Sequence, residues 1–252
     1  MISLKTEGAV AVVTLASPPV NAINDEWLDR MDAIISQIES GARVSVLWIR
    51  SAERVFCAGA DLSLMRSRFD TEAGRARMIE FTRRMQEVYA RLESSDIVSI
   101  AEIGGAAMGG GMELALACDL RVVSETAKIG LPEAGLGLLP AGGGTQRMTR
   151  LCGDATARRL ILGAEAVGGA EAVRLGLAHW VHPGADIEAA AGAIARRIAA
   201  LPREALAECK QCISAALDPG RDGYAVELAG SARLLAAAET QRRVREFLGR
   251  QK

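Results

Sequence analysis

The sequence has little with which to build metal, nucleophile-elbow or polyanion chemistry. It carries two histidines, His179 and His182, and four lysines, Lys5, Lys128, Lys210 and Lys252. No HExxH, GxSxG or cysteine–histidine metal spacing occurs, which argues against zinc hydrolysis and serine-elbow catalysis. The two histidines flank Trp180-Val181 in strand-like sequence and read as structural, so no metal is expected. GxxxxGK[ST] and GxGxxG are both missing, so phosphate-loop and dinucleotide readings fall away. A formal net charge of −1 supplies no field for nucleic acid or an anionic membrane. Basic residues are frequent near the C-terminus, but acidic ones are mixed among them, as on a solvated helix surface. Five cysteines in 252 residues make no disulfide scaffold. Cys57, Cys118 and Cys152 sit among apolar neighbours and are expected to be buried. Cys209 and Cys212 have CxxC spacing inside a helical pattern, with no second pair. No apolar run reaches ~18 residues, so no membrane span is expected. Met1 to Lys5 enter strand-like sequence without a basic-then-apolar leader, and a cytoplasmic setting is the expectation.

What is present is an apolar, glycine-rich chain: half its residues are hydrophobic and 26 are glycine. Strands are expected at Val10–Leu15, Ser45–Ile49, Ile97–Ile103 and Leu120–Val123. Asn24 or Asp25 caps a helix whose apolar positions, Trp27, Leu28, Met31, Ile34, Ile35 and Ile38, form a 3.6-residue stripe. A charged helix runs from about Thr71 to Glu93. Twice a buried strand leads through a small-residue loop into a helix, around Cys57–Leu62 and around Ala107–Glu113. This suggests repeated β–β–α layers. From about Gly184 the pattern is wholly helical, with helices expected at Ile187–Leu201, Pro202–Leu217 and Gly223–Leu248.

The chemistry concentrates in four places. Gly104 to Gly111 hold five glycines and two alanines in eight residues, followed by the helical Met112–Cys118. Amides at a helix start are unpaired and can hold a phosphate or an oxyanion. Taken alone, the run serves equally as a tight packing turn. Cys57–Leu62 offers another small-residue amide, and taken alone reads as a turn with Asp61 capping the next helix. Glu113 stands just after the glycines, where a helix favours a carboxylate. Glu133 is one of few charges in a long apolar and glycine-rich run. It is either paired or raised in pKa for acid–base work.

At these residues the sequence resembles the enoyl-CoA hydratase/isomerase (crotonase) superfamily. The matching stretches are Pro19–Ile23, Phe56–Leu62, Gly109–Ala115, Cys118-Asp119, Pro132-Glu133, Pro140–Arg147, and Ala170–Ala172 with Gly176-Leu177, in the family's order. The resemblance implies an α/β fold, a crotonase-like spiral of ββα repeats over residues 1–185. A C-terminal helical oligomerisation region over 186–252 would complete it, in a homotrimer or homohexamer. It implies an acyl-CoA thioester substrate, with coenzyme A entering as part of the substrate and no separate cofactor. It places an oxyanion hole at the backbone amides of Ala60 and Gly110, catalytic acids at Glu113 and Glu133, and coenzyme contacts at Val20, Ala58, Asp61 and Leu62. The stretch from Leu64 to Arg84 would shape the acyl pocket. Glutamates at both acid positions accompany hydration in the family, and single-acid isomerases keep the later one. The alternatives are an enoyl-CoA isomerase or another crotonase-type acyl-CoA enzyme, and a catalytically silent CoA-binding or RNA-binding scaffold. There are departures. The loop around Pro18 lacks a basic residue that many members place two positions before Val20. Pro140-Ala141-Gly142 reverses the usual Pro-Gly-Ala order, an exchange expected to be neutral. Gln241-Arg242-Arg243 stands where an acidic residue and Glu-Gly are common, which bears on whether Phe247 or Lys252 reaches a neighbour's coenzyme.

Overall fold

The computed structural model describes residues 1–41 and 43–249, so Lys252 lies outside the described residues. The chain opens with an antiparallel hairpin, β1 (Ile2–Glu7) and β2 (Val10–Leu15). Helix α1 (Asp25–Glu39) follows. The Asn24 side chain accepts from the Trp27 amide at its start, and all six expected stripe residues are buried. Strand β3 (Val46–Ser51) then pairs in parallel with β2. Two helices, α2 (Leu62–Phe69) and α3 (Glu72–Ser94), lead to β4 (Val98–Ile103), every residue of which is buried. Strand β5 (Ala107–Met108), helix α4 (Gly110–Ala117), and strands β6 (Leu120–Ser124) and β7 (Lys128–Gly130) complete the next turn. After a 3₁₀ turn at Glu133–Leu136 come α5 (Gly144–Leu162), β8 (Ala166–Gly168), α6 (Gly169–Arg174) and β9 (Trp180–His182). The C-terminal helices are α7 (Ile187–Ala199), α8 (Arg203–Ala215), α9 (Gly223–Ala236) and α10 (Ala238–Gly249).

The strands form a six-stranded sheet in the order β1-β2-β3-β4-β6-β9, parallel from β2 onward, and a smaller sheet β5-β7-β8. Isolated parallel bridges, Cys57 to Ala107 and Ile23 to Ala60, continue the small sheet backwards through the chain. Each turn therefore gives one strand to the large sheet and one short segment to the small one, the layered repeat the sequence suggested. One face of the large sheet packs on α1 and α3 through residues such as Val13, Ile49 and Ile103. The other face is covered by α7, with Ile187, Ala191 and Ala195 against Val46, Ile100 and Val122. Burial on both faces is why these strands read as continuous apolar runs.

Polar residues within this core fix particular joints. Asp119 Oδ2 accepts from the Ser99 amide and hydroxyl and from Lys210 Nζ at 2.8 Å, tying α8 to β4. His179 Nδ1 accepts from the Arg121 amide at 3.1 Å, the structural role expected of it. Cys57 and Cys118 are buried as expected, whereas Cys152 is only half-buried. The last helix departs from expectation. It breaks at Ala237, whose ψ of 132° ends α9, and its carbonyl then accepts from the Gln241 amide to start α10. No proline or glycine marks the break. Arg243 reaches back to the Ala200 carbonyl at 3.2 Å, a tertiary contact that helix periodicity cannot register. No helix among the described residues is long and apolar enough to cross a membrane.

Under α7, Glu102 is buried and accepts from the Trp48 indole N–H at 2.9 Å, while Arg50 stacks on that indole and pairs with Glu188. Burial pushes the Glu102 carboxyl up to about 7, against the pull of Arg50 and the Trp48 hydrogen bond. Its folded pKa lies above the ordinary value of 4.5, so the folded state holds the proton more tightly than the unfolded chain does. The stabilisation from this group is complete below about pH 4.5 and is lost as pH rises through 7. Glu102→Gln, which keeps an acceptor for Trp48, should raise unfolding free energy by roughly 2–3 kcal/mol near pH 8 and by well under 1 near pH 4.5. Denaturant titrations at the two pH values check this; equal effects at both would contradict it.

Candidate active site

Two glycine-rich loops are held face to face by the bridge between Cys57 and Ala107. The Cys57 amide donates to the Ala106 carbonyl at 3.1 Å, and the Met108 amide donates to the Cys57 carbonyl at 3.0 Å. In the first loop the Ala58 amide is spent on the Val20 carbonyl, and the Asp61 amide on the Ile23 carbonyl. Gly59 between them has φ of +99°, and a Cβ there would lie 3.0 Å from the Met108 carbonyl oxygen and 3.1 Å from the Gly110 nitrogen. Only glycine lets the loops approach this closely. Asn21 locks the entrance: its side-chain Nδ2 donates to Ser51 Oγ at 2.8 Å and to the Phe56 carbonyl at 3.0 Å.

In the second loop the helix starts at Gly110, two residues before the Met112 read from sequence. The Gly110 amide thus belongs to the first turn and has no intrahelical acceptor. Tyr89 Oη donates to the Gly110 carbonyl at 2.8 Å from the buried face of α3 and fixes that peptide. The result is a pair of amides, those of Ala60 and Gly110, on adjoining loops. Neither donates to an acceptor among the described residues. Both residues line a cavity of about 790 Å³ together with Glu113 and Glu133.

Glu113 is buried on α4, and its Oε1 accepts from the Gly144 amide at 2.8 Å. Burial pushes its pKa up to about 7, opposed by the amides of Gly144 and Gly142 and reinforced by the charge of Glu133. Glu133 opens the 3₁₀ turn after Pro132. Its Oε1 lies over Gly109, 2.9 Å from where a Cβ would stand, and its buried Oε2 has no hydrogen-bond partner among the described residues. Burial raises its pKa as well. The loop that grips Glu113 is held by Arg147, which donates to the Gly142 carbonyl at 3.0 Å and pairs with Glu93 at 2.8 Å. Cys57, also beside these loops, is pushed up to about 12 by burial and donates its S–H to the Asn21 carbonyl; it is an inert thiol.

Of the expected coenzyme contacts, Ala58 and Leu62 line the cavity, and Leu62 is exposed. Val20 and Asp61 do not line it. Asp61 caps α2 through the Ser63 and Leu64 amides, and Val20 holds the Ala58 amide. Sequence reasoning gave no role to Tyr89 or to Arg147. Arg147 lay within a quoted motif, but Tyr89 acts across more than twenty residues of chain and left no local signal.

Comparison with known proteins gives the family. The enoyl-CoA hydratase/isomerase family profile matches residues 5–252. A short-chain-enoyl-CoA hydratase of Clostridium acetobutylicum is 39% identical over 215 residues, 84% of this chain and 80% of the relative. The chain belongs to the enoyl-CoA hydratase/isomerase family. Among solved structures, Pseudomonas aeruginosa DspI superposes with a TM-score of 0.90 at 33% identity, covering 99% of this chain and 94% of that one. An enoyl-CoA hydratase of Bacillus anthracis does so at 0.92 and 30% identity, covering 99% and 96%. The chain is an enzyme of this family and has its crotonase fold.

Within the family pattern, the order Pro140-Ala141-Gly142 puts a glycine against Glu113 and Met85. A Cβ on Gly142 would lie 2.5 Å from Glu113 Oε2 and 2.6 Å from Met85 Cε. In this chain the methyl of an alanine at 142 collides with the carboxylate it flanks. Gly142→Ala should therefore lower kcat by about 10–10² while the melting temperature changes little, because small displacements of an acid–base group cost that much. Combining it with Met85→Ala should restore part of the loss. Unchanged kcat in Gly142→Ala would contradict the positioning role.

Proposed function

We propose that this enzyme is an enoyl-CoA hydratase, adding water across the trans-2 double bond of an enoyl-CoA to give 3-hydroxyacyl-CoA. The observation that carries the reading is the presence of two glutamates of raised pKa in one cavity with two unpaired amides. The thioester oxygen accepts from the amides of Ala60 and Gly110. Ionised Glu113 takes a proton from water as the oxygen bonds to the β-carbon, and the displaced π-electrons move onto the thioester oxygen as an enolate. Protonated Glu133 delivers its proton to the α-carbon, and the thioester re-forms. Glu113 then holds the water's proton and Glu133 is ionised, so a proton passes back through solvent to close the cycle. Low local dielectric strengthens the two amide bonds as charge develops, and losing one such donor costs roughly 10²–10³ in rate. Ala58 and Leu62 meet the pantetheine arm at the cavity edge, while Asp61 and Val20 act by holding the backbone there. Exposed Leu228, Leu235 and Phe247 on α9 and α10 support self-association of this region.

Because Glu113 acts as a base and burial pushes its pKa up to about 7, kcat/KM for crotonyl-CoA should rise as pH passes through about 7. Glu113→Gln and Glu133→Gln should each lower kcat by about 10²–10⁴, read from the ultraviolet absorbance of the conjugated thioester. Full hydration by Glu133→Gln would defeat the mechanism. Double-bond migration in a 3-enoyl-CoA, untouched by Glu113→Gln, would establish the isomerase instead.

A further inference from the structure

The cavity continues well past the catalytic groups, along one stripe of α3. Met85 Sδ lies 3.5 Å from where a Cβ on Gly110 would stand, so the stripe begins at the amide assigned to the thioester. From there Thr82, Met78 and Ile79 line the cavity outward, ending at Arg75, whose guanidinium donates to the Phe69 carbonyl at 2.9 Å. These residues recur at helical spacing, so they share one face. From Met85 to Arg75 is ten residues, or about 15 Å of helix. Leu139 lines the same cavity.

Much of this lining is apolar yet open to solvent. Ile79 is 64% exposed, Leu139 65% and Phe69 47%. Contiguous exposed apolar surface marks a binding groove when it adjoins a site. Here it is continuous with the cavity that holds Glu113 and Glu133. A crotonyl group ends within the first turn of the stripe and leaves the remainder bare. An extended chain advances about 1.2 Å per bond, as polypeptide backbone does, so 15 Å corresponds to roughly twelve bonds. Methionine supplies Met65, Met78, Met85 and Met108 to the lining, and its flexible thioether adapts to different acyl shapes.

We infer that this groove selects a medium-length apolar acyl group of about eight to twelve carbons, with Thr82 and Ile79 setting the chain length. The inference rests on the hydratase reading and names its substrate class. The test is kcat/KM across a series of straight trans-2-enoyl-CoA thioesters from four to sixteen carbons, together with one acid-ended acyl-CoA. The ten-carbon substrate should exceed crotonyl-CoA at least tenfold, since each buried methylene contributes up to about fourfold. Thr82→Trp should lower the ten-carbon to four-carbon ratio at least tenfold. Ile79→Lys, on an exposed wall where folding is not at stake, should lower the same ratio. A maximum at four carbons, or at the acid-ended substrate through Arg75, overturns this inference and leaves hydration standing. No hydration at any length overturns the hydratase reading itself.

Discussion

Everything at this site depends on two backbone amides, those of Ala60 and Gly110, that find no acceptor among the described residues. Buried amides are almost always paired, so an unpaired couple requires the surrounding chain to be held in place. Here the restraint is the narrow ladder between Cys57 and the strand at Ala107, with the neighbouring amides of Ala58, Asp61, Met108 and Gly109 all engaged elsewhere. The large sheet delivers both loops from adjacent parallel strands, β3 and β4, at the same level. Two turns of one repeat thereby put equivalent loops side by side. The geometry of the candidate site follows directly from the layered architecture.

The acids are governed by a second constraint, dryness. Glu113 is more buried than Glu133, yet accepts hydrogen bonds from the Gly144 loop. Glu133 is more open, but one of its oxygens is buried without a partner. Burial raises both pKa values, and the charge of Glu133 adds to the rise at Glu113. Arg147 contributes at a distance by fixing the loop that grips Glu113.

What was legible in the sequence was local. The α1 stripe, the strand runs and the small-residue loops announced themselves by spacing, and the two glutamates stood out against apolar surroundings. The family resemblance brought them into one site. What escaped was set by contacts distant in sequence. Tyr89 reaches Gly110 across two elements, and Gly142 matters only because Met85 and Glu113 crowd it. The break at Ala237 has no local marker at all. The helix start at Gly110 was misplaced because glycines are poor helix formers, whereas here they are required by close approach to Cys57 and Gly59.

The proposed hydration requires the amides of Ala60 and Gly110 to polarise a thioester carbonyl. Infrared difference spectroscopy of an acyl-CoA carrying a ¹³C label at the carbonyl measures that directly. The labelled carbonyl stretch should move to lower frequency on binding than in water. A bound carbonyl with the frequency of the aqueous thioester would contradict it.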